Sequence, residues 1–169
     1  MKGLQLVSEA LFSEVLERAH QSPRLRTNHN FHQSLEDSLH RFLNVMVRGT
    51  YVQPHRHLDP PKNESFLALK GQLALCLFED DGAVAETHII GAGPFGDPQK
   101  VCWGLDLAPG IWHTVIVLTP DAVCYEVKDG PYQKATDKDF APWAPPEGSP
   151  HAGEYLKYFL ATIPHPHSR

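Results

Sequence analysis

The sequence predicts a mostly β protein, a small antiparallel barrel or sandwich with a helix at each end. Between residues 44 and 128, short apolar runs alternate with turns rich in Pro, Gly and Asp, which is the pattern of closely spaced antiparallel strands. No helical pattern separates these runs, and this disfavours a parallel sheet with crossover helices. Apolar residues at helical spacing occur before and after this region.

The N-terminal segment, residues 1–43, predicts helical and extended structure that packs on the barrel. Ser8 is a suitable N-cap for a helix over residues 8–20, where apolar residues recur at helical spacing. A short second helix is predicted from Ser34, because apolar residues recur at the same spacing there.

The barrel itself is predicted to span residues 44–128, in the runs NVMVRGTYV, SFLALKGQLALCLFED, AETHIIG, KVCWGLDL, WHTVIVL and AVCYEVK. Residues 129–169 predict a Pro-rich strap across the barrel and a last helix over about residues 153–161. His165 and His167, in the tail, are not predicted as ligands because nothing around them would fix their geometry.

Composition limits the class of protein. The chain has 169 residues, 41% hydrophobic and 21% charged, with a net charge of −5, typical of one soluble domain. This charge, without a long basic run, argues against nucleic-acid binding. The N-terminus has no apolar stretch for a signal peptide or membrane span. Cys76, Cys102 and Cys124 lie in apolar runs without CxxC spacing, which predicts buried reduced thiols in a cytoplasmic protein.

The stretch GTYVQPHRHLDPPKNESFLALKG predicts metal ligands. His55 and His57 alternate with one residue between them, so in a strand both side chains lie on the same face. Glu64 begins the next run and shares its face with Phe66 and Ala68. A buried carboxylate needs a partner, and a divalent cation held with the two histidines would supply one.

A fourth ligand is predicted from the run that follows Pro109 and Gly110. His113 begins a strand in which Val115 shares its face. Such a histidine is by itself more typical of a core residue, but the other three groups favour a ligand. The sequence thus predicts one divalent ion, Fe, Mn, Ni or Zn, held by His55, His57, Glu64 and His113.

Both blocks resemble the two motifs of the cupin superfamily. The first motif matches at Gly49, His55, His57, Glu64 and Gly71, and the second at Pro109, Gly110 and His113. The resemblance implies a single cupin, that is, a small antiparallel β-barrel or double-stranded β-helix. Three features depart from the family: the spacer LDPPKN is longer, Pro109 and Gly110 are adjacent, and Val117 stands where Asn is frequent. The long spacer leaves open a site of three histidines without the glutamate.

A closer resemblance covers most of the chain. It is to the WbuC-type cupin-fold metalloproteins, a bacterial family associated with surface-polysaccharide gene clusters, and it rests on RLRTNHNFH, RFLNVMVRGTYVQPHRH, EVKDGPY and DKDFAPWAPPEG. The resemblance implies a small barrel and one metal ion, and it brings no established reaction.

The segment RLRTNHNFH predicts a substrate-binding strand. Extended backbone would direct alternate side chains to one side, and guanidinium and amide groups suit phosphate, carboxylate or sugar hydroxyls. A solvated connector held by salt bridges is the alternative. The candidates for substrate binding are Arg24, Arg26, Asn28, Asn30 and His32. Lys128, Tyr132 and Lys138 are weaker candidates, more typical of contacts between strap and barrel.

Two functions stay open at this point. The first is a metalloenzyme for a small polar molecule, such as a sugar or nucleotide sugar of surface-polysaccharide biosynthesis. It would isomerise or epimerise its substrate through an enediol with a base not yet assigned or, with iron, use oxygen to cleave it. The second is a non-catalytic cupin whose metal anchors a carbohydrate. A homodimer is expected, with neither nucleic acid nor membrane as partner.

Overall fold

The computed structural model describes residues 3–97 and 99–163. Within these ranges, the two helices are α1 (Glu9–Gln21) and α2 (Ala152–Thr162). The ten strands of the same ranges are β1 (Arg26–Asn30), β2 (Leu39–Val47), β3 (His55–Arg56), β4 (Glu64–Lys70), β5 (Leu73–Phe78), β6 (Val84–Ile90), β7 (Gly104–Leu107), β8 (Trp112–Val117), β9 (Asp121–Asp129) and β10 (Asp139–Phe140).

These strands form two five-stranded sheets in the described chain. The first sheet has the order β1-β2-β9-β4-β7, and the second has the order β10-β3-β8-β5-β6. Neighbouring strands in both sheets pair antiparallel. The predicted fold class, mostly β with a helix near each end, is confirmed.

Helix α1 covers the outer face of the first sheet. Its N-cap is Ser8, whose Oγ accepts a hydrogen bond from the amide of Leu11, as the sequence predicts. Phe12 and Val15 are buried in one cluster with Val45 and Val123 of the sheet. Because α1 covers this outer face, Val45 and Val123 are part of the core although their side chains point away from the space between the sheets.

Helix α2 has the same role on the second sheet. Phe159 and Leu156 are buried against residues of β5 and β8, including Phe78 and Trp112. The strap joins this cluster through Trp143, whose ring lies 5.0 Å from that of Phe78. The Pro-rich segment is therefore held to the barrel by aromatic packing.

The space between the sheets is partly apolar and partly polar. An apolar cluster drawn from both sheets includes Met46, Phe66, Leu75 and Val115. Beyond this cluster, the inner faces carry histidines, carboxylates and amides around a cavity. The fold thus places polar side chains where a small barrel has its ligand pocket.

The prediction of a short helix from Ser34 is wrong. The Oγ of Ser34 accepts from the amide of Glu36, and an Asp37 oxygen accepts from the amide of Gln33. These side-chain bonds fold residues 33–37 into turns, since short polar side chains compete with helical hydrogen bonds.

The division into residues 1–43, 44–128 and 129–169 stays a prediction. β1 lies before residue 44 and pairs with β2, and β10 lies after residue 128 and pairs with β3. Both end segments therefore contribute a strand to the sheets.

Two of the three cysteines are buried as expected. Cys76 and Cys124 lie in the core, whereas Cys102 is exposed, so the prediction of buried thiols is wrong for Cys102. It precedes the edge strand β7, where Val101 and Trp103 are exposed too. None of the described helices is long and apolar enough to cross a membrane.

Candidate metal centre

Three strand segments bring the predicted ligands together between the sheets. His55 of β3 is paired in register with His113 of β8, and His57 follows β3 directly. Glu64 is the first residue of β4 in the opposite sheet. All four side chains are buried, and their ligand atoms lie within 4.8 Å of one another.

The carboxylate of Glu64 lies between two of the rings. Its Oε1 is 3.1 Å from Nε2 of His57, and its Oε2 is 3.1 Å from Nε2 of His113. The long spacer before Glu64 therefore does not remove this residue from the cluster. The arrangement matches the predicted set of three imidazoles and one carboxylate.

The backbone fixes which nitrogen of each ring faces the cluster. Nδ1 of His55 and Nδ1 of His113 lie 2.9 Å from the carbonyl oxygens of Gln53 and Ile111, two residues earlier in each case. Nδ1 of His57 contacts the carbonyl oxygen of Asp137. Since a carbonyl oxygen only accepts hydrogen bonds, each Nδ1 carries the proton, and Nε2 keeps its lone pair.

The electrostatics of His55 and Glu64 favour the protonation states that a metal needs. Burial lowers the pKa of His55 well below its ordinary value, and Lys138 and His113 act in the same direction, so this ring is neutral. Burial raises the pKa of Glu64, but His113, His57 and Lys128 outweigh it and hold the pKa well below its usual range. Neutral imidazoles and an ionised carboxylate are ligands for first-row divalent cations.

Two buried atoms of the cluster have no hydrogen-bond partner, namely Nε2 of His57 and Oε2 of Glu64. A buried polar atom without a partner is unfavourable. Both atoms carry lone pairs and belong to a group of ligand atoms within 4.8 Å of one another, so a cation bound there would satisfy both. The residues present therefore fit a metal ion.

A second layer of charges holds the cluster. Nζ of Lys128 lies 2.9 Å from Oδ2 of Asp137 and 3.6 Å from Oε1 of Glu64. Lys62 binds the other oxygen of Asp137 at 3.0 Å. Lys62 comes from the long spacer LDPPKN, so the extra residues supply a buried cation to this network.

A cavity of about 590 Å³ opens over the cluster. His55, Glu64 and His113 lie in its wall together with residues of β1, β2 and β9 and of the strap. An open metal position facing a cavity is characteristic of catalytic rather than structural sites.

Known structures share this arrangement of sheets. One is CapF, a capsular polysaccharide assembling protein from Staphylococcus aureus, with TM-scores of 0.52 and 0.53 at 19% identity over 70% of this chain. Another is protein SO0799 from Shewanella oneidensis, with a TM-score of 0.54 at 11% identity over 80% of this chain and 85% of its own. The protein has the cupin fold.

These similarities concern the fold alone. The chain spans 32% and 30% of the two CapF chains, about a third of their length. A family model described as a domain of unknown function (DUF6016) matches residues 7–90 of this chain. No curated protein matches the sequence.

The predicted substrate strand lies in the wall of the cavity. Asn28, Asn30 and His32 line the cavity, and Nε2 of His32 is buried without a partner. Arg24 and Arg26 line it as well, as do the weaker candidates Lys128, Tyr132 and Lys138.

The two arginines are already paired. Glu147 of the strap accepts from Nε of Arg24 and from Nη2 of Arg26, both at 2.6 Å. Arg26 also donates to Oγ1 of Thr50 and to the carbonyl oxygen of Tyr51. These contacts match the alternative reading of the segment, a connector held by salt bridges.

Four further residues around the site were not predicted. Asp137 and Lys62 form the buried ion pairs, and Glu126 and Asn44 lie side by side in the cavity wall. Glu126 and Lys128 interrupt the apolar run AVCYEVK at alternate positions. From that alternation, a polar inner face of this strand could have been predicted.

Proposed function

We propose that this protein is a mononuclear metal-dependent cupin that acts on a small polar molecule, such as a sugar or nucleotide sugar of surface-polysaccharide biosynthesis. The proposed reaction is isomerisation or epimerisation through an enediol. With iron as the metal, oxygen-dependent cleavage is a second route.

One observation carries the proposal: the ligand atoms of His55, His57, Glu64 and His113 lie within 4.8 Å of one another, two of them without a hydrogen-bond partner, beside a cavity that polar side chains line. We propose that His55, His57, Glu64 and His113 hold the ion. The bound ion would polarise a carbonyl or hydroxyl group of the substrate. Lys128 and Asp137 keep the Glu64 carboxylate and the His57 ring in position.

The polar wall supports a carbohydrate-like substrate. Asn28 and Asn30 present amides to the cavity, and His32 presents an unpartnered ring nitrogen. Such groups match the hydroxyl groups of a sugar. We propose that these three side chains contact the substrate. Arg24 and Arg26 either fix the position of the strap through Glu147 or bind an anionic group of the substrate.

Two resemblances support the polysaccharide context. The sequence resembles the WbuC-type family, which is associated with surface-polysaccharide gene clusters. CapF, which shares the fold, is described as a capsular polysaccharide assembling protein. The cytoplasmic location and the homodimer stay predictions.

Metal analysis tests the site first. The untagged protein should contain about one divalent ion per chain, and His55→Ala and His57→Ala should abolish binding, because each removes a neutral nitrogen ligand. His88→Ala, an exposed histidine of β6, is the matched control. Full binding in both cluster variants would defeat the assignment.

A ligand screen tests the substrate class. The metal-loaded protein would be heated with sugars, sugar phosphates and nucleotide sugars, and a bound ligand should raise the unfolding temperature. Absence of any shift would remove the support for a carbohydrate ligand. Turnover that disappears with chelator and returns with one metal would favour an enzyme.

A non-catalytic carbohydrate-binding cupin is the second candidate. Many charged groups around the cavity already have partners: Arg24 and Arg26 bind Glu147, and Lys62 and Lys128 bind Asp137. Such a wall would suit a neutral ligand. Metal-dependent binding without turnover would favour this function.

A further inference from the structure

Glu126 is a second carboxylate in the cavity, separate from the cluster. It lies in the middle of β9 and is buried on the inner face of the first sheet. Its cross-strand neighbours are Phe42 of β2 and Phe66 of β4. All three residues line the cavity, so the carboxyl group stands between two aromatic residues.

Glu126 differs from the other buried acids in its partners. Glu64 and Asp137 each lie close to cationic or imidazole nitrogens. In the part of the chain that the structure describes, the hydrogen-bond partner of Glu126 is an uncharged amide, Nδ2 of Asn44 at 3.1 Å from Oε2. A carboxyl group that lacks an ion pair in an apolar setting exchanges protons more readily than a paired one.

Electrostatics agree with this difference. Burial, and next the Glu64 carboxylate, raise the pKa of Glu126 to about 7, although Lys128, Lys138 and the Asn44 bond act in the opposite direction. These are the charged groups that face it from β4, from β9 and from the strap. A buried carboxyl group with a raised pKa in a cavity is a recurrent sign of acid–base chemistry.

The same wall offers unpartnered polar atoms for substrate hydroxyl groups. Oδ1 of Asn44 and Nε2 of His32 are buried without partners, and both residues line the cavity. A polyhydroxylated ligand would satisfy these atoms. Its carbon skeleton would then lie beside Glu126 and opposite the cluster.

We propose that Glu126 is the acid–base group of this cavity, which takes a proton from one substrate carbon and returns it to that carbon or its neighbour. This inference rests on the proposed function and assigns the base that the enediol route lacks. The substrate class is an α-hydroxy aldehyde or ketone.

In an isomerisation, Glu126 acts first as a base and then as an acid. The carboxylate removes the proton from the carbon that bears the hydroxyl group, and the C–H electron pair forms the enediolate double bond while the carbonyl oxygen becomes negative. The hydroxyl proton moves to that oxygen. The new carboxylic acid then protonates the former carbonyl carbon, and a carbonyl group forms at the other carbon, so no oxidant or reductant is consumed.

Solvent deuterium exchange tests the role. The Zn(II)-loaded protein would be incubated in D₂O with D-ribulose, D-fructose 6-phosphate and D-glucuronate, and ¹H NMR would follow loss of the signal beside the carbonyl. Glu126→Gln keeps the side-chain shape and an oxygen for the Asn44 bond. It should lower exchange about 100-fold or more, with the metal content and probe affinity retained. Glu86→Gln, an exposed glutamate of β6, is the matched control.

Exchange by Glu126→Gln at the rate of the unaltered protein would overturn the inference and leave the proposed function intact. If the unaltered protein exchanges none of the probes, the enediol route fails for them. A ¹³C-glutamate NMR titration of the Zn(II)-loaded protein then decides the role of Glu126. A resonance that is absent in Glu126→Gln and titrates above about pH 5 supports proton exchange, whereas a midpoint below that value overturns it.

Discussion

Nδ1 of His57 donates a hydrogen bond to the carbonyl oxygen of Asp137, 80 residues later in the chain. The strap therefore fixes the orientation of one ring in the cluster. The side chain of the same residue binds Lys62 and Lys128, so one residue joins the strap, the spacer and β9. Partners of this kind orient metal ligands and are part of the site.

Asp137→Asn should destabilise the protein strongly. The change removes the buried carboxylate and leaves the ammonium groups of Lys62 and Lys128 without it, at a cost of about 3–5 kcal/mol in unfolding free energy. Urea denaturation would measure it. The matched control is Asp139→Asn, whose pair with Arg56 is partly exposed and should matter by less than about 1 kcal/mol. Equal losses in both variants would contradict the role of Asp137.

Glu64→Gln separates a four-ligand site from a site of three histidines. The substitution keeps the side-chain volume but removes the negative charge, so a ligand role predicts an affinity loss of about 10–100-fold or more. Competition with a chelator would measure the affinity for Zn(II), and Glu86→Gln is the control. An unchanged affinity would indicate that the three histidines suffice.

Glu147→Gln should change how stability depends on pH. Burial raises the pKa of Glu147, but Arg24 and Arg26 outweigh it and lower the pKa below its ordinary value. A carboxyl group with a depressed pKa stabilises the fold above its unfolded pKa, and the contribution is lost as the pH falls through the folded value.

The difference in unfolding free energy between the unaltered protein and Glu147→Gln should therefore be largest above about pH 5 and shrink below about pH 4. Urea denaturation at several pH values would measure it. Glu154→Gln, exposed on α2, should give no such trend. A difference that is constant with pH would argue against the paired arginines as its cause.

The sequence predicted the cluster because its residues obey local rules. The alternation of His55 and His57, and of Glu64 with Phe66, follows from strand geometry alone. The long spacer did not disturb the cluster, because it adds a loop before β4 without changing which face Glu64 occupies. Local rules could not predict that Asp137 contacts His57, because the two residues are 80 positions apart in the chain.

The polar wall was harder to predict because the usual pattern is inverted in β9. Its outer residue Val123 is buried under α1, whereas the inner residues Glu126 and Lys128 face the cavity. Strand β1 is polar on the same inner face, at Asn28 and Asn30. Sequence patterns are usually interpreted on the assumption that the apolar face of a strand points between the sheets. That assumption fails here, because the outer face is apolar and the inner face is polar.

Helix α2 offers a clean test of what holds the end of the chain to the barrel. Phe159 is 1% exposed and its ring lies 5.3 Å from that of Phe78, while the adjacent Tyr158 is 60% exposed. Phe159→Ala should cost about 3–5 kcal/mol of unfolding free energy, because it removes a buried ring and leaves a cavity. Tyr158→Ala should cost less than about 1 kcal/mol, since exposed positions contribute little. Urea denaturation of both variants measures the difference, and similar values would mean that α2 is not packed against β5.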